Sequence, residues 1–133
     1  MDKRIINPWS WQDGFGYSQG VLVTNPTATL YAAGQGSVDA DGNPVCIGDM
    51  PGQVAQAMDN VEAVLAEAGM TLADVVRFDV HTTDLQGYFE QGHEQVAKAF
   101  AQAGPFPAGG IATQVPALAL PPMLVEITVT ACR

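Results

Sequence analysis

The apolar positions of this chain fall into two helical stripes set among alternating segments. Val54, Met58, Val61, Leu65 and Ala68 recur at steps of 4, 3, 4 and 3, which puts them on one face of a helix. The spacing predicts a helix from about Pro51 to Ala68. Asp49 stands at its N-cap, Pro51 suits the first turn and Gly69 stops it. Phe89, His93, Val96, Phe100 and Ala103 repeat the same steps. They predict a second helix over about Gln86–Ala103, opened near Asp84 and closed by Gly104-Pro105.

Elsewhere the pattern alternates. Val76, Phe78 and Val80 oppose Arg77, Asp79 and His81; Val125, Ile127 and Val129 oppose Glu126, Thr128 and Thr130. Both segments read as strands with one buried and one polar face. Shorter strands are expected at Arg4–Asn7, Gly16–Thr24, Thr29–Ala33 and Ile111–Val115, with Gly16–Thr24 and Thr29–Ala33 forming a hairpin across Asn25-Pro26-Thr27. Thr71 caps a short turn at Leu72-Ala73-Asp74. The order β-β-β-α-β-α-β-β predicts an α+β domain, a mixed sheet with two helices packed on one face. The opposite face is polar at several strands and must meet water or another subunit.

The chain has 133 residues, enough for one domain over 1–133 and not for two cores. Its charged fraction is 14%, low against an average of about 25%. So little polar cover predicts an oligomer. The net charge is −9, and Lys3, Arg4, Arg77, Lys98 and Arg133 are scattered. No basic stripe forms, so neither a nucleic acid nor an anionic membrane surface is an expected partner. No apolar run is long enough to span a bilayer, and no signal peptide is visible. Cys46 and Cys132 are far apart, and His81 and His93 are too few for a zinc signature. The expected compartment is the cytoplasm, and neither metal nor cofactor is implied.

Several residues are candidates for chemistry, each with a plainer structural alternative. Tyr17 is a hydroxyl donor in a pocket or a core tyrosine. His93 is a proton carrier or a hydrogen-bonded packing residue on the helix stripe. Glu126 is a general base for water or an interface acid. Gly34-Gln35-Gly36 offers free backbone N–H groups or simply turns the chain. Trp9 and Trp11 line a pocket or staple the loop that carries them.

Gly16-Tyr17-Ser18-Gln19-Gly20 resembles the "PYSQ(A/G)" strand of a known family, and Leu30-Tyr31-Ala32-Ala33-Gly34-Gln35 its "(V/I)xxSGQ" strand. Gln56-Ala57-Met58-Asp59-Asn60-Val61 is similar to its "QxxxxLxNV" helix. Leu65-Ala66-Glu67-Ala68-Gly69 with Asp74-Val75-Val76-Arg77 is similar to "LxxAGxxxxDVVK". Asp84-Leu85 followed by Phe89, then Pro107-Ala108, then Leu124-Val125-Glu126-Ile127, follow its "DLxDF", "PAR" and "(V/K)(V/I)EIE" segments in order. This is the Rid (reactive intermediate deaminase, YjgF-like) superfamily, also labelled endoribonuclease L-PSP. The resemblance spans about Gly16 to Ala131.

The resemblance implies a chorismate-mutase-like fold and a homotrimer with a small-molecule site in each inter-subunit cleft. It implies cofactor-free hydrolysis of 2-imino acids to 2-keto acids and ammonia. Tyr17 matches the family tyrosine. The family Ser-Gly becomes Ala33-Gly34, the arginine of "PAR" becomes Gly109 or Gly110, the second acid of "EIE" becomes Thr128, and the helix asparagine falls near Gly92 or His93. The missing arginine removes a charge-assisted grip on a substrate carboxylate worth about 1.5–3 kcal/mol. The expected site is therefore neutral and apolar, with Tyr17, His93 and Glu126 catalytic and Gly34, Phe89, Phe106, Gly110, Thr128 and Trp11 around the ligand. An uncharged imine, enamine or carbonyl compound is expected there, or else a ligand or partner held without chemistry.

Overall fold

The computed structural model describes all residues, 1–133. Seven strands and three helices follow in the order β1 (Asp2–Ile6), β2 (Gly20–Thr24), β3 (Thr29–Tyr31), β4 (Gln35–Gly36), α1 (Met50–Glu67), β5 (Val75–Thr82), α2 (Leu85–Gln91), α3 (His93–Ala103), β6 (Ala108–Gln114) and β7 (Val125–Cys132). The main sheet runs β3-β7-β5-β6, with β4 also paired to β7. β7 is antiparallel to β3, β4 and β5, while β5 and β6 are parallel. This is the mixed α+β sheet that the alternating segments imply.

Helix α1 forms where the first stripe predicts. Asp49 caps it by accepting from the Gly52 N–H at 3.1 Å. Val54, Met58, Val61 and Leu65 are buried against Val125, Ile127 and Val129 of β7 and Phe78 and Val80 of β5. Gln53, fully enclosed, ties this layer together. Its amide donates to the Cys46 and Pro122 carbonyls at 3.2 and 2.9 Å and accepts from the Leu124 N–H at 2.7 Å.

Three local expectations are corrected. The second helix is two helices, α2 and α3, so three helices rather than two cover the sheet. Gly92 carries the break: glycine is a poor helix former, and a Cβ there would come within 2.6 Å of Val54 on α1. The expected hairpin over Gly16–Thr24 and Thr29–Ala33 does not pair with itself; β2 pairs with β1 as a separate antiparallel ribbon, and β3 pairs with β7. Gly34-Gln35-Gly36 is more than a turn, since Gln35 and Gly36 lie opposite Ile127 and Glu126. No helix is long and apolar enough to cross a membrane.

Candidate functional site

A cavity lies on the helix side of the sheet. It encloses about 650 Å³ between α2, α3, the edge strand β6 and the segment leading into β2. A volume of this size takes a small organic molecule. Its wall is mostly apolar; Tyr17, Tyr88, His93 and Gln19 are its side chains with polar atoms, and it has no carboxylate, ammonium or guanidinium.

Tyr17 is positioned by β6. Ser18 bridges Ala108: the Ser18 N–H donates to the Pro107 carbonyl at 2.9 Å, and the Gly109 N–H donates to the Ser18 carbonyl at 3.1 Å. The Ser18 hydroxyl adds a 2.7 Å bond to the Phe106 carbonyl. The Tyr17 side chain then lies against Gly109, where a Cβ would stand 2.8 Å from its Cγ and Cδ2. Tyr17 thus precedes β2 rather than sitting in mid-strand. Gly16, with φ of +80°, turns the chain against α3, where a Cβ would come within 2.8 Å of Ala97. Only glycine satisfies both demands at that position.

His93 opens α3 and faces Phe89 and Tyr88, with ring centroids at 5.4 and 6.1 Å. The Tyr88 and Phe89 rings meet edge to face at 5.4 Å. Of the residues the sequence singled out, Tyr17, Phe89, His93 and Gly110 meet in this cavity. Phe106 does not line it; its side chain is partly buried against the core. Trp11 and Trp9 lie outside, about 60% exposed, and Phe15 of the same loop reaches the cavity instead.

Glu126, Thr128 and Gly34 form a second group on the open face of the sheet. Glu126 stands opposite His81, and Thr128 opposite Asp79. The Glu126 carboxyl rests where a side chain at position 34 would begin. Within one chain the sheet separates this group from Tyr17 and His93.

The two glycines at the "PAR" position point to different faces. Gly109 faces Tyr17, whereas a Cβ on Gly110 would meet the Asp79 carboxylate and lie 2.8 Å from Arg77 Nε. The open-face space beside Gly110 thus already holds a guanidinium, supplied by β5. Asp79 grips it twice, at 3.1 and 3.0 Å, and also accepts from the Ile111 N–H at 2.8 Å, which fixes the β6 bulge. Its hydrogen bonds with Arg77 lead in holding the Asp79 carboxyl below the usual carboxylate range, with the Ile111 N–H and nearby His81 also contributing, against some desolvation. A lowered folded-state pKa stabilises the fold above the unfolded-state pKa, and this contribution disappears as pH falls through the folded-state value. Asp79→Asn is accordingly expected to flatten the acid side of the stability profile, as read by urea midpoints between pH 2 and 6; an unchanged acid limb would count against it.

The sequence did not single out Phe15, Gln19, Phe78, Val80, Tyr88, Gly109, Ile111 or Ala112 as lining. No three His, Cys, Asp or Glu side chains gather as a metal ion would require.

Known proteins agree with this architecture. The family model described as Endoribonuclease L-PSP matches residues 14–133. A RutC family protein of Saccharolobus solfataricus is 34% identical over 115 residues, covering 86% of this chain and 85% of that one. A 2-iminobutanoate/2-iminopropanoate deaminase of Dermatophagoides farinae is 33% identical over 107 residues, covering 80% and 79%. Among solved structures, the crystal structure of the Rid family protein YyfB from Yersinia pestis superposes with a TM-score of 0.85 at 34% identity, covering both chains completely. With nearly the whole chain matched by the model and the whole fold by a Rid structure, this protein belongs to the endoribonuclease L-PSP family of the Rid/YjgF superfamily.

Proposed function

We propose that this protein is a cofactor-independent hydrolase, deaminase or tautomerase acting on an imine, enamine or carbonyl compound without a carboxylate, and that it is not a 2-imino acid deaminase of the usual kind. The observation that carries this reading is the cavity wall: Tyr17 and His93 face a largely apolar space with no cation to hold a carboxylate. Arg77, beside Gly110, is already committed to Asp79. In imine hydrolysis, water adds to the C=N carbon, the nitrogen takes protons and leaves as ammonia, and a carbonyl product remains. Tyr17 polarises the reacting nitrogen or oxygen and His93 moves protons. Glu126 and Thr128 join the same site only if a second copy brings its open sheet face to this cavity, as in a homotrimer with inter-subunit clefts.

The apolar wall also favours a second reading, a trimer that holds a small hydrophobic molecule or a partner without chemistry. Neither reading uses nucleic acid, since a net charge of −9 repels phosphate.

The test measures product release from a freshly generated 2-imino acid and from the imine of acetophenone, with wild type and Tyr17→Phe. We expect no acceleration with the imino acid and an acceleration with the ketimine that falls about tenfold or more in Tyr17→Phe. Acceleration of the imino acid that depends on Tyr17 overturns the proposal. Acceleration of neither substrate turns it to the binding protein.

A further inference from the structure

We infer that Tyr88 is a second hydrogen-bond donor of the cavity, and that the ligand it selects is a neutral, largely apolar compound bearing a carbonyl-type acceptor. This rests on reading the cavity as the ligand site. Tyr88 is 1% exposed, yet it lines the cavity. The only side-chain polar atoms sealed away without a partner are Gln12 Oε1 and Gln19 Nε2. Tyr88 Oη has no hydrogen-bond partner within the chain either, yet it is not sealed away as those two atoms are, and its residue lines the cavity. A phenol so placed has satisfied neither its donor nor its acceptor capacity, and an unmade bond at a buried site is costly until a ligand makes it. Desolvation by burial raises its pKa well above the ordinary phenol range. The group therefore stays protonated and neutral, able to donate to an acceptor and unable to attract a cation by charge. Tyr17 presents a phenol in the same cavity, and the apolar remainder of the wall suits a hydrocarbon body.

The inference makes Tyr88 a specificity-determining residue. Tyr88→Phe keeps the ring and removes only the donor. Wild type, Tyr88→Phe and Tyr17→Phe are titrated with acetophenone and with ethylbenzene, which match in size but differ in the carbonyl, following the backbone amides of Gly109 to Ala112 by NMR. In Tyr88→Phe, the expected result is a loss of about fivefold in acetophenone affinity with ethylbenzene unchanged. An unchanged ratio of the two affinities, with both probes bound, overturns the inference while leaving the cavity a ligand site. Binding of neither probe to wild type overturns the ligand-site reading and this inference with it. Should Tyr88→Phe fail to fold, the infrared carbonyl frequency of 13C-labelled acetophenone bound to the Tyr17→Phe/His93→Phe double variant decides. A red shift from its value in hexane supports a remaining phenol donor, and no shift overturns it.

Discussion

Gln53→Leu is expected to destabilise this protein by about 3 kcal/mol. The side chain is 0% exposed, and its amide is bonded at both ends: two carbonyls, of Cys46 and Pro122, receive its hydrogens, and its oxygen receives the Leu124 N–H. Leucine fills much the same space and leaves the Pro122 carbonyl and the Leu124 N–H without partners, while the Cys46 carbonyl keeps the Asp49 N–H at 3.1 Å. Each unmade bond at a buried site costs about 1–3 kcal/mol, partly offset by the gain from burying an apolar side chain. Gln56→Leu is the control. Gln56 donates once, to Asn60 Oδ1 at 3.1 Å, at a partly buried position, so its loss is expected below about 1 kcal/mol. Urea midpoints with unchanged slope measure both. Equal effects at the two positions would mean that the enclosed amide does not hold the layers together.

Gln53 also marks where sequence reasoning stops. The apolar stripe of α1, its Asp49 cap and the alternation of β5 and β7 were legible because each depends on spacing within one segment. A buried glutamine between Gly52 and Val54 looks like any polar residue near a helix start; its three partners lie up to 71 positions away. The second helix shows a related limit. Steps of 4, 3, 4 and 3 put Phe89 on the stripe, and an unbroken helix would bury it. The break at Gly92 shifts the phase, so Tyr88, Gly92, Val96 and Phe100 form the buried row while Phe89 is 51% exposed. Gly92 was the available signal: a glycine inside a helical pattern, four residues after one aromatic and four before a buried valine.

The candidate site divides along the same line. Tyr17, His93, Phe89 and Gly110 come together because β6, α2 and α3 carry them to one edge of the sheet. Glu126 and Thr128 were assigned to one face of β7 by alternation, and they do share it. Alternation cannot say which face the cavity lies behind. It is the face covered by α1, α2 and α3, and Glu126 points the other way. The open face carries Arg77, Asp79, His81, Glu126, Thr128 and the 80% exposed Tyr31. A polar face with a large exposed aromatic is what a second copy would cover, and covering it is the one way the two groups could meet.

The second large effect is expected at Gly109, where one methyl group tests whether Tyr17 must sit where it does. A Cβ at this position would lie 2.8 Å from Tyr17 Cγ and Cδ2 and 3.0 Å from its Cβ, closer than non-bonded carbons approach. The contacts fall on the root of the Tyr17 side chain as well as its ring, so rotation about χ1 alone does not relieve them. The segment is also pinned by the Ser18 bonds to Phe106, Pro107 and Gly109. Gly109→Ala therefore has to displace Tyr17 bodily, by a few tenths of an ångström to about 1 Å. Misplacing a reacting group by about 1 Å can cost about 10²-fold in rate, so Gly109→Ala is expected to lower turnover of a ketimine by about 10–100-fold. Overpacking of this kind costs about 1–3 kcal/mol in stability, which a thermal melt will show as a folded but less stable protein. Gly109→Ala combined with Tyr17→Phe then separates the causes. If alanine acts through the hydroxyl's position, the double variant loses little more than Tyr17→Phe alone, because the group being moved is already gone. Fully additive losses would place the effect of Gly109 in the shape of the cavity instead, and Tyr17 would lose its claim to be the group that polarises the substrate.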